Sequence, residues 1–204
     1  MSLLHRLHGE YVHQRRVRIL AGHFAAMIPP DASLLDIGCG DGRLAQQMMI
    51  QRPNVTITGV DTIVRPDALI TVQAFDGVHL PFAQATFDFV LLADVLHHTA
   101  DPLVLLREAA RVARHGILIK DHLASCPLDR AIPSFMDWIG NARHGVTLKY
   151  NYATYEQWYK FFNELHMTPS NWQTQLNLYP MPASLLFDRR LHFVTLLEKA
   201  LYHK

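Results

Sequence analysis

Apolar residues recur along the chain with two spacings, one typical of helices and one typical of buried strands. From residue 11 to residue 28 they follow a roughly helical period and stop before Pro29 and Pro30, which predicts a leading helix. Several short continuous apolar runs follow. Because runs without alternation belong to strands that are covered on both faces, each of these runs predicts a buried strand.

Predicted strands and helices alternate through most of the chain. The strands are expected at 33–37, 55–60, 68–74, 87–93 and 116–120, and the last two within 172–178 and 191–197. The helices that follow the leading helix are expected at 43–51, 102–113 and 154–165. This alternation predicts the α/β fold class, with a Rossmann-like, seven-stranded, mostly parallel sheet, helices on both faces and an antiparallel last strand.

Length and composition narrow the class of protein. The chain has 204 residues, which predicts a single domain, 1–204, with a leading helix in 1–30. The net charge is +1 without a long run of either sign, which argues against a nucleic-acid partner. Its two cysteines, Cys39 and Cys126, lack zinc spacing, and no apolar stretch reaches the roughly 18 residues that span a bilayer. We therefore expect a cytoplasmic protein without a membrane partner.

Three glycines follow the first predicted strand, at Gly38, Gly40 and Gly42. Glycine lets a backbone turn sharply and approach a ligand, and a helix that begins there offers free N–H groups to an anionic group. Asp61 closes the second strand, where a carboxylate can accept hydrogen bonds from the ribose hydroxyls of an adenosine ligand. A lone glycine turn fits a structural connection equally well, so the prediction of ligand binding depends on the turn and Asp61 together.

The glycine turn and the residues around it resemble a known family. The segment 34–42, Leu-Leu-Asp-Ile-Gly-Cys-Gly-Asp-Gly, resembles the first motif of the class I S-adenosylmethionine-dependent methyltransferases, and Gly59-Val60-Asp61 resembles the acidic motif that follows it. Segments similar to the small-molecule, methyltransferase type 11-like branch follow in the expected order: Phe75-Asp76-Gly77, Leu80-Pro81-Phe82, Phe87-Asp88-Phe89-Val90 and Val95-Leu96-His97-His98. The resemblance covers about 33–121. It departs at Arg114-His115-Gly116, where the family usually has a Pro-Gly-Gly turn into the fifth strand.

The resemblance implies S-adenosyl-L-methionine as the cofactor and a small molecule as the methyl acceptor, at oxygen, nitrogen or carbon. It assigns the glycine turn to the methionine part of the cofactor, Asp61 to the ribose and Asp76 to the adenine amine. Asp36, just before the turn, suits the cofactor's amino group. The residues predicted to bind the cofactor are Asp36, Gly38, Cys39, Gly40, Asp61, Asp76, Gly77 and Asp94.

Two other functions remain open from the sequence. An NAD(P)-dependent oxidoreductase also has a strand, a glycine turn, a helix and a later acid, but its third glycine would stand where this chain has Arg43. A non-catalytic module that binds S-adenosylmethionine is also consistent, because a pocket does not guarantee chemistry.

Polar residues follow the fourth and fifth strands, and these suggest how a proton is removed from the acceptor. His98 or His122 is predicted to act as the general base and Asp121 to orient it, because histidine titrates near neutrality. A structural role for either histidine is also compatible with the sequence. No metal site is predicted, since no helical i, i+4 histidine pair or cysteine partner is present; the best location for one would be His97-His98 with Asp121-His122.

Two segments are expected to close the site. Tyr11, Arg15 and Arg16 of the leading helix are a candidate lid, although Arg15 and Arg16 also fit a solvated helix face. The segment 122–154 is expected to form a substrate cap. Its aromatic and polar candidates, with one residue beyond it, are Phe135, Trp138, Tyr150, Tyr152, Trp158, Asp137, Asn141, Arg143 and His144.

Overall fold

The computed structural model describes residues 3–123, 151–181, 184 and 191–199, with side chains from residue 11 onward. The helices are α1 (Leu3–Met27), α2 (Arg43–Gln51), α3 (Pro102–Val112) and α4 (Tyr155–Glu164), and a short 3₁₀ helix spans Leu96–His98. The strands are β1 (Ser33–Ile37), β2 (Thr56–Asp61), β3 (Val72–Ala74), β4 (Phe87–Ala93), β5 (Ala113–His122), β6 (Met167–Gln173) and β7 (His192–Lys199).

All seven described strands form one sheet in the order β3-β2-β1-β4-β5-β7-β6. Strands β1 to β5 pair in parallel, whereas β7 runs antiparallel to both β5 and β6. This arrangement confirms the predicted Rossmann-like, mostly parallel sheet with an antiparallel last strand. Because the strand order reverses between β1 and β4, a crevice opens between the carboxyl ends of these two strands.

Neighbouring residues of the central strands point to opposite faces and build two cores. On one face, Leu35, Leu92 and Ile117 pack against α3 and α4 through residues such as Leu106 and Trp158. On the other, Leu34, Leu91 and Leu118 pack against α1 and α2 through residues such as Phe24 and Met48. Helices therefore cover both faces of the sheet.

Local sequence signals begin two of the helices. The Asp101 carboxylate accepts a hydrogen bond from the Leu103 N–H at 2.9 Å, and Pro102 occupies the first turn of α3. Thr154 and Gln157 form a reciprocal capping box at the start of α4. These caps satisfy N–H groups that a helix leaves without internal partners.

Strand β5 begins before its predicted start at Gly116, because Ala113, Arg114 and His115 also belong to it. A Cβ atom on Gly116 would lie 2.5 Å from the backbone oxygen of Leu197 in β7. The glycine therefore permits close approach of two strands rather than a turn.

Three further boundaries differ from prediction. Strand β6 begins at Met167, earlier than the predicted 172–178; as an edge strand it tolerates Pro169, which obscured the pattern. Strand β3 is limited to Val72–Ala74, and α1 begins at Leu3 rather than near residue 11. No helix among the described residues is long and apolar enough to cross a membrane.

Candidate active site

The turn between β1 and α2 depends on glycine backbone. Gly38, Gly40 and Gly42 have φ angles of 68°, 59° and 77°, in the left-handed region that favours glycine. The Gly38 N–H donates to the Val60 carbonyl oxygen at 2.8 Å, which ties the turn to β2. A Cβ atom on Gly38 would lie 2.6 Å from Cγ2 of Val95. Both conformation and space therefore require glycine at this position.

Asp61 contacts the glycine turn directly. Its Oδ2 accepts a hydrogen bond from the Gly40 N–H at 2.8 Å, and its Oδ1 accepts one from the Ile63 N–H at 3.0 Å. A carboxylate has about four acceptor positions, so lone pairs remain for the hydroxyls of a ligand. The two features that the sequence paired are thus joined at the end of β2.

A small cavity of about 130 Å³ lies between the glycine turn and α1. Asp36, Gly38 and Cys39 line it from the turn, and His13 and Val17 line it from α1. Burial, reinforced by the charge of Asp61, raises the pKa of Asp36 to about 8. A buried carboxyl group in this state is ready to ionise when a ligand ammonium group arrives.

Cys39 is a neutral thiol beside this cavity. Burial, together with the nearby charges of Asp36 and Asp61, raises the pKa of Cys39 to about 12. Since the thiolate is the reactive form, Cys39 contributes shape rather than nucleophilic chemistry.

A larger cavity of about 450 Å³ opens between α1 and α2. Its lining includes Tyr11 and Arg15 of the predicted lid, with Arg43 and Leu69 across from them. Its volume is in the range of about 300–1,000 Å³ that small-ligand sites occupy. Arg16 lies elsewhere, with Nη2 3.9 Å from Asp94 Oδ2. Helix α1 therefore borders both cavities and the end of β4.

Asp76 is an exposed, ionised acceptor beyond β3. It accepts hydrogen bonds from the N–H groups of Val78 and His79 at 2.8 and 2.6 Å, and its Oδ2 lies 2.8 Å from Nδ1 of His79. The hydrogen bonds from His79 and Val78 lower the pKa of Asp76 to about 2. Gly77 follows with a φ of 85°, so the turn after Asp76 also favours glycine.

Asp94 lies at the carboxyl end of β4 in a left-handed conformation, with a φ of 60°. Its Oδ1 accepts a hydrogen bond from Nζ of Lys120, a fully buried lysine of β5. Burial opposes ionisation of Asp94, but the positive charges around it, of which Lys120 has the largest effect, together hold the pKa of Asp94 below its usual value. Asp94 and Lys120 therefore form an ion pair at the ends of neighbouring strands.

Asp121 makes its imidazole hydrogen bond with His97, not with His98 or His122. Asp121 Oδ1 lies 2.7 Å from Nδ1 of the buried His97, whereas Nδ1 of His122 lies 3.6 Å away, beyond hydrogen-bonding distance. The same Oδ1 accepts the backbone N–H of His122 at 2.7 Å. Burial raises the pKa of Asp121, but the charge of His97 and the side-chain interactions with His122 and His97 outweigh burial and hold this pKa below its usual value, so Asp121 is ionised.

His122 is buried within a group of rings. Its ring centroid lies 4.9 Å from that of His97, 4.7 Å from that of His192 and 5.2 Å from that of Tyr152. Burial and the charge of Lys120 lower the pKa of His122, so the imidazole is neutral. Its Nδ1 makes no hydrogen bond among the described residues and lies 3.6 Å from Asp94 Oδ1.

Only some of the histidines and acids at the ends of β4 and β5 lie close enough together to share a ligand. Donor atoms of Asp94, His97 and His122 lie within 4.8 Å of one another. His98 is half-buried beside His97, with ring centroids 4.0 Å apart. The sequence pointed to the pairs His97-His98 and Asp121-His122, and the structure brings together one histidine from each pair with Asp94.

A family model described as a methyltransferase domain matches residues 9–179. The chain belongs to the methyltransferase-domain family. This membership confirms the family resemblance seen in the motifs, and the match extends past the motifs into α1 and α4.

This methyltransferase domain is similar to parts of several longer, named methyltransferases. The 27-O-demethylrifamycin SV methyltransferase of Amycolatopsis mediterranei (strain S699) is 31% identical over 141 residues, or 56% of this chain and 52% of that protein. The ubiquinone biosynthesis O-methyltransferase of Vibrio parahaemolyticus serotype O3:K6 (strain RIMD 2210633) is 30% identical over 115 residues, or 50% of this chain and 46% of that protein. The matches therefore span about half the length of these curated relatives.

Solved structures share the fold of the methyltransferase domain. The 1,6-didemethyltoxoflavin-N1-methyltransferase of Burkholderia thailandensis, with bound 1,6-didemethyltoxoflavin and S-adenosylhomocysteine, has a TM-score of 0.64 at 18% identity over 96% of this chain and 83% of that chain. A methyltransferase in a complex with the Haloferax volcanii Trm112 activator has a TM-score of 0.66 at 15% identity over 88% of each chain.

Several residues at the site were not singled out by sequence reasoning. His13 and Val17 of α1 line the small cavity, and Lys120 pairs with Asp94. Lys120 offered one signal: a charged residue within the apolar run of β5 implies a buried partner. His13 and Val17 gave none, because their role depends on how α1 docks on the sheet.

The predicted substrate cap falls mainly outside the described residues. Phe135, Asp137, Trp138, Asn141, Arg143, His144 and Tyr150 all lie there. Tyr152 is buried against His97 and His122. Trp158 is a core residue packed against Phe193, and its indole N–H donates to the His122 carbonyl oxygen at 3.2 Å.

Proposed function

We propose that this chain transfers the methyl group of S-adenosyl-L-methionine to a small-molecule acceptor. The main support for the proposal is the hydrogen bond between the Gly40 N–H and the Asp61 carboxylate. It places a carboxylate that can bind ribose hydroxyls and a turn that can bind the amino-acid part of the cofactor in one crevice. Family membership supports the reaction. Relatives named as O-methyltransferases support a small acceptor, and oxygen and nitrogen are both represented among the named proteins.

The cofactor is proposed to lie across the ends of β1 and β2. Asp36, with Gly38, Cys39 and Gly40, would hold its methionine end, where the ionisable Asp36 faces a cavity beside the turn. Asp61 would accept the ribose hydroxyls. Asp76 and Gly77, beyond β3, would receive the adenine, since the ionised Asp76 can accept a hydrogen bond from an exocyclic amine.

The chemistry requires positioning and removal of one proton. When bound, S-adenosylmethionine would supply a sulfonium methyl group, whose carbon bonds to a nucleophile of the acceptor as its bond to sulfur breaks and S-adenosylhomocysteine leaves. The chain must hold the reacting atoms about 3–3.5 Å apart and exclude water. Asp94, at the end of β4, borders this region with Arg16 of α1. The assignment of His98 or His122 as the general base, oriented by Asp121, stays a prediction; Asp121 also contacts His97.

Methyl transfer can be tested with a labelled methyl donor. The purified chain, incubated with methyl-labelled S-adenosylmethionine and a metabolite extract, should place the label in a small-molecule fraction. Asp61→Asn should reduce the label at least about tenfold, because it weakens a charge-assisted hydrogen bond worth about 1.5–3 kcal/mol. Asp67→Asn, an equivalent change at an exposed aspartate, should leave it unchanged. Label found only in protein or nucleic acid would contradict the proposal.

Two further proposals concern the cellular location of the chain and its partners. We propose that the chain works in the cytoplasm and does not act on nucleic acid. The balanced charge and the two cysteines support both statements.

A further inference from the structure

We propose that Asp94, His97 and His122 form a binding site for a divalent transition-metal ion of the zinc type. The three residues come from three segments: the end of β4, the 3₁₀ helix and the end of β5. Their donor atoms all lie within 4.8 Å of one another. The sheet therefore assembles a set of ligands that are separate in sequence, at the carboxyl ends of two neighbouring strands.

The spacing of the donor atoms is close to that of a shared ligand shell. Two donors on one tetrahedral zinc, each about 2.1 Å from the metal, are roughly 3.4 Å apart. Nδ1 of His122 and Oδ1 of Asp94 are 3.6 Å apart. The three donor atoms, which lie within 4.8 Å of one another, must therefore move closer together to bind one ion.

Asp121 supplies the outer shell that metal-binding histidines require. A histidine ligand commonly donates its second ring N–H to a carboxylate, which fixes the ring and its tautomer. Asp121 Oδ1 lies 2.7 Å from Nδ1 of His97, and both side chains are buried. This contact leaves Nε2 of His97 as the ligand atom.

His122 offers an independent sign of a missing partner. Its ring is buried, with the residue 2% exposed, yet its Nδ1 has no hydrogen bond among the described residues. A buried polar atom without a hydrogen bond costs about 1–3 kcal/mol and calls for an explanation, such as an ion. A metal ion between His122 and Asp94 would satisfy this nitrogen.

The donor set selects the class of ion. Two imidazoles and one carboxylate suit Zn²⁺, Fe²⁺, Co²⁺ or Ni²⁺, whereas Mg²⁺ and Ca²⁺ prefer oxygen ligands alone. Three protein ligands leave a coordination position for water or an acceptor oxygen. The bound ion would also lower the pKa of an acceptor hydroxyl. This role rests on the proposed function, whereas metal binding does not.

The ammonium group of Lys120 would compete with the metal ion for the Asp94 carboxylate. Its ammonium group bonds to Asp94 Oδ1 and is fully buried, so it holds a positive charge where the metal would bind. Metal binding must displace this ammonium from Asp94. Lys120→Met removes this charge and should therefore strengthen metal binding. A variant with a damaged fold would instead bind the metal more weakly.

The site can be tested by measuring the zinc affinity of the untagged chain. The measurement uses competition with a chromophoric chelator, without cofactor. One ion should bind per chain. Asp121→Asn should weaken binding about 10–100-fold, and His97→Gln and His122→Asn at least as much. His115→Asn, at an exposed histidine outside the cluster, should change nothing, and Lys120→Met should bind roughly tenfold more tightly or better.

The visible absorption of bound cobalt provides a second, spectroscopic measurement of the site. Co²⁺ bound by His97 and His122 should show the strong visible absorption of a four- or five-coordinate ion, lost in His122→Asn. The weak spectrum of hydrated Co²⁺, or zinc affinity that is equal in wild type, His97→Gln and Lys120→Met, would overturn the proposal. Because no methyl transfer is measured, either result leaves the proposed function to be judged separately.

Discussion

The fold alters the charge state of Asp36. It is buried at the end of β1, next to the negative charge of Asp61, and these two effects raise its pKa to about 8. A protonated carboxyl here avoids a buried charge in the absence of ligand. A cationic group in the adjoining cavity would favour the carboxylate, so ligand binding and loss of a proton are coupled at this residue.

Asp36 also predicts a pH dependence of stability. Its pKa is higher in the folded than in the unfolded chain, so its stabilising contribution is complete below about pH 4 and is lost as the pH rises through about 8. The unfolding free energy of wild type relative to Asp36→Asn should therefore fall by a few kcal/mol over this range, at about 1.36 kcal/mol per pKa unit. Urea unfolding at several pH values measures it. A difference that stays constant with pH would contradict the shift.

Gly38 allows a second residue-level test. Gly38→Ala places a Cβ atom 2.6 Å from Val95 Cγ2 at a φ of 68°, so we expect a loss of about 1–3 kcal/mol of stability and weaker cofactor binding. Gly22→Ala is the matched control, because its Cβ atom in α1 meets nothing closer than 3.5 Å. That change should be neutral or stabilise by up to about 1 kcal/mol. Equal thermal unfolding of the two variants would show that the turn does not need glycine.

At the scale of elements, buried strands were predictable and edge elements were not. The strand β4, Phe87–Ala93, matches its prediction because both faces are covered and the apolar run is continuous. Strand β6 differs because an edge strand can carry Pro169 and Asn171, and the start of β5 differs because Gly116 resembles a turn signal. Contacts between elements, such as Asp121 with His97, depend on tertiary packing that local patterns do not encode.

Helix α1 is expected to act as a cover for the cofactor. Its residues His13 and Val17 line the small cavity beside the glycine turn, and its buried side chains, among the described residues, begin at Leu20. Before Leu20, Val12 and Ile19 pack against the core but are only partly buried. Deletion of residues 1–18 should therefore preserve the folded sheet but lower methyl-transfer turnover by roughly tenfold or more, because water enters the cleft. Circular dichroism confirms the fold and the labelled-donor assay gives the rate. Unchanged turnover with unchanged cofactor affinity would rule out this role.

At the scale of the whole molecule, strand order explains why the site lies where it does. The chain reverses direction along the sheet between β1 and β4, so the glycine turn, Asp61 and Asp94 all follow strands that meet at this crevice. The family follows from motifs that lie at strand ends, and the proposed position of the cofactor site depends on the same motifs. The acceptor does not follow from them, since the predicted cap lies largely within residues 124–150, beyond the described part of the chain.

We expect one crevice to hold S-adenosyl-L-methionine between the glycine turn and Asp61. Calorimetric titration with S-adenosylhomocysteine, and separately with NAD, tests it most directly. We predict one molecule of S-adenosylhomocysteine bound per chain, weakened at least about tenfold by Asp61→Asn, and no heat from NAD. Binding of NAD alone, or S-adenosylhomocysteine affinity that is insensitive to Asp61→Asn, would contradict the account.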